Sequence, residues 1–217
     1  PAAFRPKGPD AMWPLFLSAF VTLFVVIDPP GCAPIYAGLV RDATRRQATV
    51  MALRASIIAT IILVVFALFG EDLLGALHIE LNSFRLAGGI MLFIIALEMV
   101  FEKRTERREH RVEDVKAHPE HEDISIFPMA IPMIAGPGSI ASVMLMTSKS
   151  SGMEQTLVVF GALAVILIVN MFALLAAGPL MSFLGYRIEA MITRILGVIL
   201  AALAAQFVID GIKASFA

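Results

Sequence analysis

The stretch "VVIDPPGCAPIY", Val25 to Tyr36, decides how the chain is read. Fifteen uncharged residues, Trp13 to Ile27, run into an aspartate, two prolines and a glycine, after which apolar sequence resumes. Proline removes a backbone N–H and clashes with the preceding turn, so a helix breaks there. In hydrocarbon every freed backbone group needs a partner, so such a break is expected only where it faces protein or a water-filled cavity. The first half-helix is expected to end at Asp28 to Gly31, and the second to begin with Pro34 in its first turn, where proline is tolerated.

The rest of the chain supports a lipid setting. Of 217 residues, 59% are hydrophobic and 16% charged, and the mean hydropathy is +0.84. A spanning helix needs about 20 mainly apolar residues. Six stretches qualify: 13–39, 47–69, 83–101, 125–148, 155–177 and 191–212. The N-terminal stretch to Trp13 has two cations but no compact apolar region before a small-residue cleavage site, so the first apolar run is expected to remain as a span. A single cysteine, Cys32, excludes an intrachain disulfide and a multi-cysteine metal site.

Charge is concentrated between spans three and four. Residues 102–123 hold six Lys/Arg and eight Asp/Glu, 14 of the chain's 35 formal charges, and read as a solvated loop. Loops after the odd-numbered spans carry ten cations and those on the other side four. Because cytoplasmic loops carry the excess of Lys/Arg, the charged loop is expected inside and both termini outside.

The chain also resembles itself. "DPPG" at 28–31 aligns with "AGPG" at 135–138, and "RLAGGIMLF" from Arg85 aligns with "RILGVILAA" from Arg194, at offsets of 107 and 109. The expected fold is therefore an all-α integral membrane protein: one domain over 1–217, with six transmembrane helices forming two inverted three-helix repeats. Repeat one is 13–101, the cytoplasmic loop 102–123, and repeat two 124–217, with the first helix of each repeat broken near mid-membrane. Interrupted segments at matching positions of inverted halves point to a transporter's binding site.

The candidate binding residues follow from those breaks: Asp28, Pro29, Pro30, Gly31, Cys32 and Pro34 in the first, and Pro132, Gly136, Pro137, Gly138 and Ser139 in the second. Half-helix starts present N–H groups and a positive dipole end, so an anionic group, carboxylate or small anion, is the natural guest. Gly136 and Gly138 permit close backbone approach or positive φ. Asp28 is expected to bind an ammonium group or carry a coupling proton, to cap the following half-helix, or both. Glu98 is a second coupling candidate, although its nearness to the charged loop favours snorkelling to the interface. Asn170 and Gln206, mid-span, are expected to bridge helices by hydrogen bonds and are weaker site candidates.

"GPGSIA", Gly136 to Ala141, matches the dinucleotide pattern G-x-G-x-x-A, but membrane-length apolar flanks and a proline in the turn argue against it. "HPEHE" at 118–122 reads as part of a solvated loop rather than a metal site. No nucleophile–base set, catalytic residue, metal-ligand set or nucleotide motif stands out, so no enzyme activity, cofactor or nucleic-acid partner is expected.

Across "FLSAFVTLFVVIDPPGCAPIYAGL", "FRLAGGIMLFIIALEM", "FPMAIPMIAGPGSIASVML" and "ITRILGVILAALAAQFVIDGI" the chain resembles the MarC family of bacterial inner-membrane proteins. That family is similar to the SnatA small neutral amino acid transporters and belongs with the LysE-type exporters. The resemblance implies six spans and a secondary transporter for small neutral amino acids such as glycine or alanine, coupled to protons. Its two signature stretches match Asp28, Pro29, Gly31 and Pro34, then Pro132, Gly136, Pro137, Gly138 and Ile140; Cys32 departs from an asparagine common in the family. Two alternatives stand beside it: a transporter or channel for another small solute or anion, and a membrane scaffold whose charged loop recruits a cytoplasmic partner.

Overall fold

A computed structural model describes residues 12–41, 43–103 and 123–216. Most of the charged loop, including the histidines of 118–122, lies outside the described residues. The described chain is helical and contains no strand. Its elements are α1 (Met12–Ile27), α2 (Pro29–Leu39), α3 (Arg45–Ala76), α4 (Leu81–Val100), a wide-turned segment Ser125–Ile134, α5 (Pro137–Ser148), α6 (Met153–Leu175) and α7 (Ala177–Ser215).

Among the described residues five stretches are long and apolar enough to cross a membrane: Met12–Leu39, Arg45–Ala76, Leu81–Val100, Met153–Leu175 and Ala190–Ser215. The pair Ser125–Ile134 and Pro137–Ser148, bent by 52°, makes a sixth if it crosses as one span. One boundary departs from expectation: helix α3 continues seven residues past 69. The membrane-length stretch Ala190–Ser215 begins as expected, while its helix, α7, starts earlier at Ala177, because Pro179 sits in its first turn, where its missing N–H is harmless, and no further proline follows.

Local chemistry accounts for the element starts. Thr44 and Gln47 form a reciprocal cap: the Thr44 hydroxyl accepts from the Gln47 N–H at 3.4 Å and the Gln47 side chain accepts from the Thr44 N–H at 2.9 Å. Before Pro128 and Pro132, residues Phe127 and Ile131 are extended (φ −125°), as the proline ring demands of its predecessor. Both X-Pro bonds are cis. The first part of this span is therefore an irregular coil of wide turns, not the regular half-helix that the sequence predicts.

The surface of α3 is apolar along one stripe, Leu53, Ile57, Ile61, Val65 and Leu68, all exposed, while small residues, Ala52, Ala55, Ser56, Ala59, Ala67 and Gly70, line the buried face. A helix in lipid is packed this way: large side chains meet the acyl chains and small ones let neighbouring backbones approach. On α1, Trp13, Phe16, Phe20 and Phe24 form a row with centroid separations of 5.7, 6.2 and 6.0 Å, the first two pairs stacked and the third tilted, and exposed Trp13 stands at the end where an interfacial aromatic belongs.

Two cores result. One joins α2, α3, α6, Ser125–Ile134 and the inner end of α1 around Ile27, Cys32, Tyr36, Leu63 and Ile166. The other joins α4 and α7 with Val25, Val26 and Leu145. Helices α4 and α7 form the most extensive contact in the bundle, and glycines set their separation. A Cβ on Gly89 would lie 2.8 Å from Val208 Cγ2 and 3.0 Å from the Ala204 carbonyl; one on Gly197 would lie 2.8 Å from Met99 Cβ.

The second half is anchored at Asp123. Its carboxylate accepts from the Ser125 hydroxyl at 2.5 Å and the Ser125 N–H at 3.0 Å, and pairs with Arg54 of α3 at 2.9 Å. The Ser125 hydroxyl is the main cause of a carboxyl held below its ordinary value, burial opposes, and the Ser125 amide and Arg54 assist.

Two outcomes are expected. Gly89→Ala and Gly197→Ala should each lower stability in detergent by about 1–3 kcal/mol through overpacking, whereas Gly161→Ala, with open space around it, should not. A carboxyl lowered by folding contributes stability above its ordinary pKa and loses it as pH falls through the lower folded value. Below about pH 4, therefore, the amides of residues 125–127 should lose protection relative to their intrinsic exchange rate in wild type; in Asp123→Asn that protection should already be low at pH 7.

Candidate functional site

The first break is a single left-handed residue. Asp28 has φ 58° and ψ 65°, a conformation that Asp tolerates better than most residues because its short polar side chain bonds locally. Its N–H still donates to the Phe24 carbonyl at 2.9 Å, and its carbonyl accepts from the Cys32 N–H at 2.9 Å. The side chain accepts from the Gly31 N–H at 3.1 Å, capping α2. Pro29 and Pro30 occupy the first two helical positions, where no N–H is needed. Pro34 then falls inside α2 rather than in its first turn, because the helix starts at Pro29, earlier than expected.

The break is packed against protein. Asp28 and Cys32 are fully buried, and the Cys32 thiol donates to the Ile27 carbonyl at 3.3 Å. Burial rather than an open water-filled cavity surrounds these residues, and the Gly31 N–H and the Ile27 carbonyl, both freed at the break, find partners in the Asp28 carboxylate and the Cys32 thiol.

The second break lies at Ala135–Gly136. Gly136 is extended (φ −82°, ψ 170°), so positive φ is not what its glycine supplies. A Cβ there would collide with the Pro132 carbonyl oxygen, so close approach is. Gly138 is placed the same way: a Cβ would meet Ile95 Cδ1 at 2.8 Å, Leu92 Cδ2 at 3.2 Å and Val26 Cγ1 at 3.3 Å. Val26 is two residues from Asp28, so the structure brings the two breaks together beside the middle of α4. Pro132 is half-buried, Gly136, Gly138 and Ser139 are buried, and Pro137 is exposed.

The two helix starts differ in one respect that matters for an anion. Asp28 caps α2, but α5 has no side-chain cap. First-turn amides have no intrahelical carbonyl partner, so Gly138 and Ser139 present N–H groups at a buried positive dipole end.

Asn170 departs from expectation. It is 1% exposed on α6, and among the described residues neither its Oδ1 nor its Nδ2 has a hydrogen-bond partner, so it bridges none of the described helices. Tyr36 of α2 and Leu174 of α6 line one cavity, of about 440 Å³. Asn170 lies one turn before Leu174 on α6. Gln206 also departs: it is exposed and donates to Asp210 of its own helix at 2.7 Å. Glu98 is half-buried, one turn from Ile95 on α4 and one turn from the Glu102–Arg194 ion pair of 2.5 Å.

Cavities reach toward the breaks from opposite ends. The Tyr36 cavity also includes Val40, Arg45, Thr49 and Pro179. At the end where α1 begins, a cavity of about 220 Å³ descends along Ser18, Ala19 and Thr22. Between them Leu23, Val25 to Pro29 and Gly31 to Ala33 are buried.

A helical bundle with an apolar outer face and a buried, self-capped break at its centre defines an integral, multi-pass membrane protein. More particularly, the MarC family integral membrane protein model matches residues 13–216, and the chain belongs to that family. A UPF0056 membrane protein of Methanocaldococcus jannaschii is 34% identical over 91% of this chain and 96% of its own length. One of Bacillus subtilis is 34% identical over 94% and 97%, and one of Aquifex aeolicus 32% identical over 92% of each. No solved structure matches the chain significantly.

The site geometry makes a paired expectation. Asp28→Ala removes the cap and keeps the left-handed backbone without a supporting side chain, and should destabilise by about 1–3 kcal/mol; Asp28→Asn should stay near wild type. Asn170→Leu removes an unsatisfied buried amide and should raise the midpoint of unfolding in detergent, since such a group costs about 1–3 kcal/mol.

Proposed function

We propose that this protein is a secondary transporter of small neutral amino acids such as glycine or alanine, coupled to protons. The observation that carries the proposal is the meeting of two helix breaks in the buried centre of the bundle, one capped by Asp28 and the other, at α5, without a side-chain cap. The Gly138 and Ser139 amides receive the substrate carboxylate, Asp28 faces its ammonium group or exchanges the coupling proton, and the Asn170 amide takes up the remaining polar contact. Leu23, Val25 to Pro29 and Gly31 to Ala33, all buried, lie between the two cavities, as an occluded carrier requires.

The same proposal includes an inverted repeat. Helix α4 packs on α7, each the last of its half; α3 packs on Ser125–Ile134 and α5 as α6 packs on α1 and α2. Such reciprocal exchange is what a two-fold axis in the membrane plane generates. With ten cations against four, the termini are outside and the charged loop inside, in the inner (plasma) membrane of a bacterium. No catalytic group, cofactor or metal takes part; the partners are the solute and the lipid.

Uptake of labelled glycine, alanine and serine into proteoliposomes, with and without an inward proton gradient, tests this. Wild type should accumulate at least one of them only with the gradient; Asp28→Asn should lose accumulation and keep exchange. Transport of simple anions alone would favour an anion pathway, and no transport by correctly inserted protein would favour a scaffold.

A further inference from the structure

The smaller cavity carries chemistry that the break does not use. It is lined by Leu15, Ser18, Ala19 and Thr22 of α1, Met146 and Lys149 at the end of α5, and Leu203, Gln206, Phe207 and Asp210 of α7. Its about 220 Å³ is room for roughly seven water-sized groups at ~30 Å³ each. One cation and one anion face this small, mainly apolar space. Lys149 Nζ lies 3.3 Å from Asp210 Oδ2 and 5.0 Å from the centroid of the Phe207 ring. Asp210 Oδ1 accepts from Gln206 Nε2 at 2.7 Å, which holds the carboxylate in place.

Neither charge is saturated by these contacts. An ammonium has three donors and a carboxylate about four acceptor sites; here one donor and two acceptor sites are engaged. Both side chains are about one-third exposed, which leaves them open to the cavity. The hydroxyls of Ser18 and Thr22 stand on the α1 wall. A lone anion would meet Asp210 and a lone cation would meet Lys149; only a solute carrying both charges a few bonds apart satisfies the two together.

We propose that this cavity is a second binding station, selective for small zwitterions, with Lys149 receiving the carboxylate and Asp210 the ammonium group. It deepens the transport proposal by giving the substrate a place at the α1 end of the bundle before it reaches the breaks, yet its occupancy does not depend on transport. Selection for zwitterions would thus begin outside the occluded centre, where Thr22 stands six residues from Asp28.

The test is protection of an introduced thiol in purified protein held in lipid nanodiscs. Ser18→Cys places a thiol on the cavity wall, and wild type, whose one thiol is fully buried, gives the background. Alanine should slow modification by a small anionic thiol reagent, whereas propionate and ethylamine at equal concentration should not. Adding Lys149→Gln or Asp210→Asn should raise the alanine concentration needed by about ten- to hundredfold, the range for one charge-assisted hydrogen bond. Exchanging the charges, Lys149→Asp with Asp210→Lys, restores an ion pair but should not restore protection of the wild-type strength.

Protection that survives either single substitution, or returns with the exchanged pair, would overturn the proposal and leave a structural ion pair. Protection equal for alanine and propionate would overturn the zwitterion selectivity. Leu203→Cys repeats the measurement from the facing wall if Ser18→Cys does not fold. Protection abolished by Asp28→Asn but kept in Lys149→Gln would place the bound solute at the break and overturn the second station. Protection as described with no uptake in proteoliposomes would instead count against transport alone.

Discussion

Everything in the bundle depends on how the chain satisfies its own backbone where Asp28-Pro-Pro-Gly interrupts a membrane span. Two prolines in succession remove two donors, and a left-handed residue turns the chain while its own N–H and carbonyl keep their helical partners, Phe24 and Cys32. The Asp28 carboxylate then meets the Gly31 amide, the first N–H available after the prolines. Each of these choices answers the same constraint, that hydrocarbon supplies no hydrogen bonds. The consequence is a polar residue in the centre of the bundle that is held in one orientation by the structure it stabilises.

The second half meets the constraint by a different route, and the contrast defines what the centre can do. Pro128 and Pro132 force extended residues ahead of them and yield wide turns instead of a half-helix. Gly136 and Gly138 then let α5 start hard against Val26, Leu92 and Ile95. No side chain of its own caps that start. One break is capped by its own side chain and the other has no side-chain cap; a buried Asn170 without a hydrogen-bond partner among the described residues adds a group that a dry core of hydrophobes would not keep.

Much of this was legible in the sequence because membranes leave few options. Apolar runs of spanning length, the two Pro/Gly interruptions and their common offset place the helices and the breaks, and family membership follows from the same stretches. What was not legible depends on tertiary packing. Whether Pro34 or Pro29 starts α2 turns on a left-handed Asp28, which composition does not reveal. Gln206 bonding within its own helix, and Asn170 bonding to nothing among the described residues, depend on which face each helix turns inward. The extension of α7 back to Ala177 was readable in principle, since Pro179 is followed by no further proline before the span, but the apolar run alone drew attention to the later start. The Lys149–Asp210 pair joins residues 61 apart in sequence, and no local pattern announces it.

The central claim is that one break is closed by Asp28 while the other stays open to a solute. Residue-resolved hydrogen–deuterium exchange, with and without saturating alanine, tests it most directly. The Gly31 amide should be protected in both conditions, and those of Gly138 and Ser139 should gain protection only when alanine is present. Equal protection of Gly138 and Ser139 with and without alanine, or a Gly31 amide that exchanges freely in the folded protein, would contradict the account.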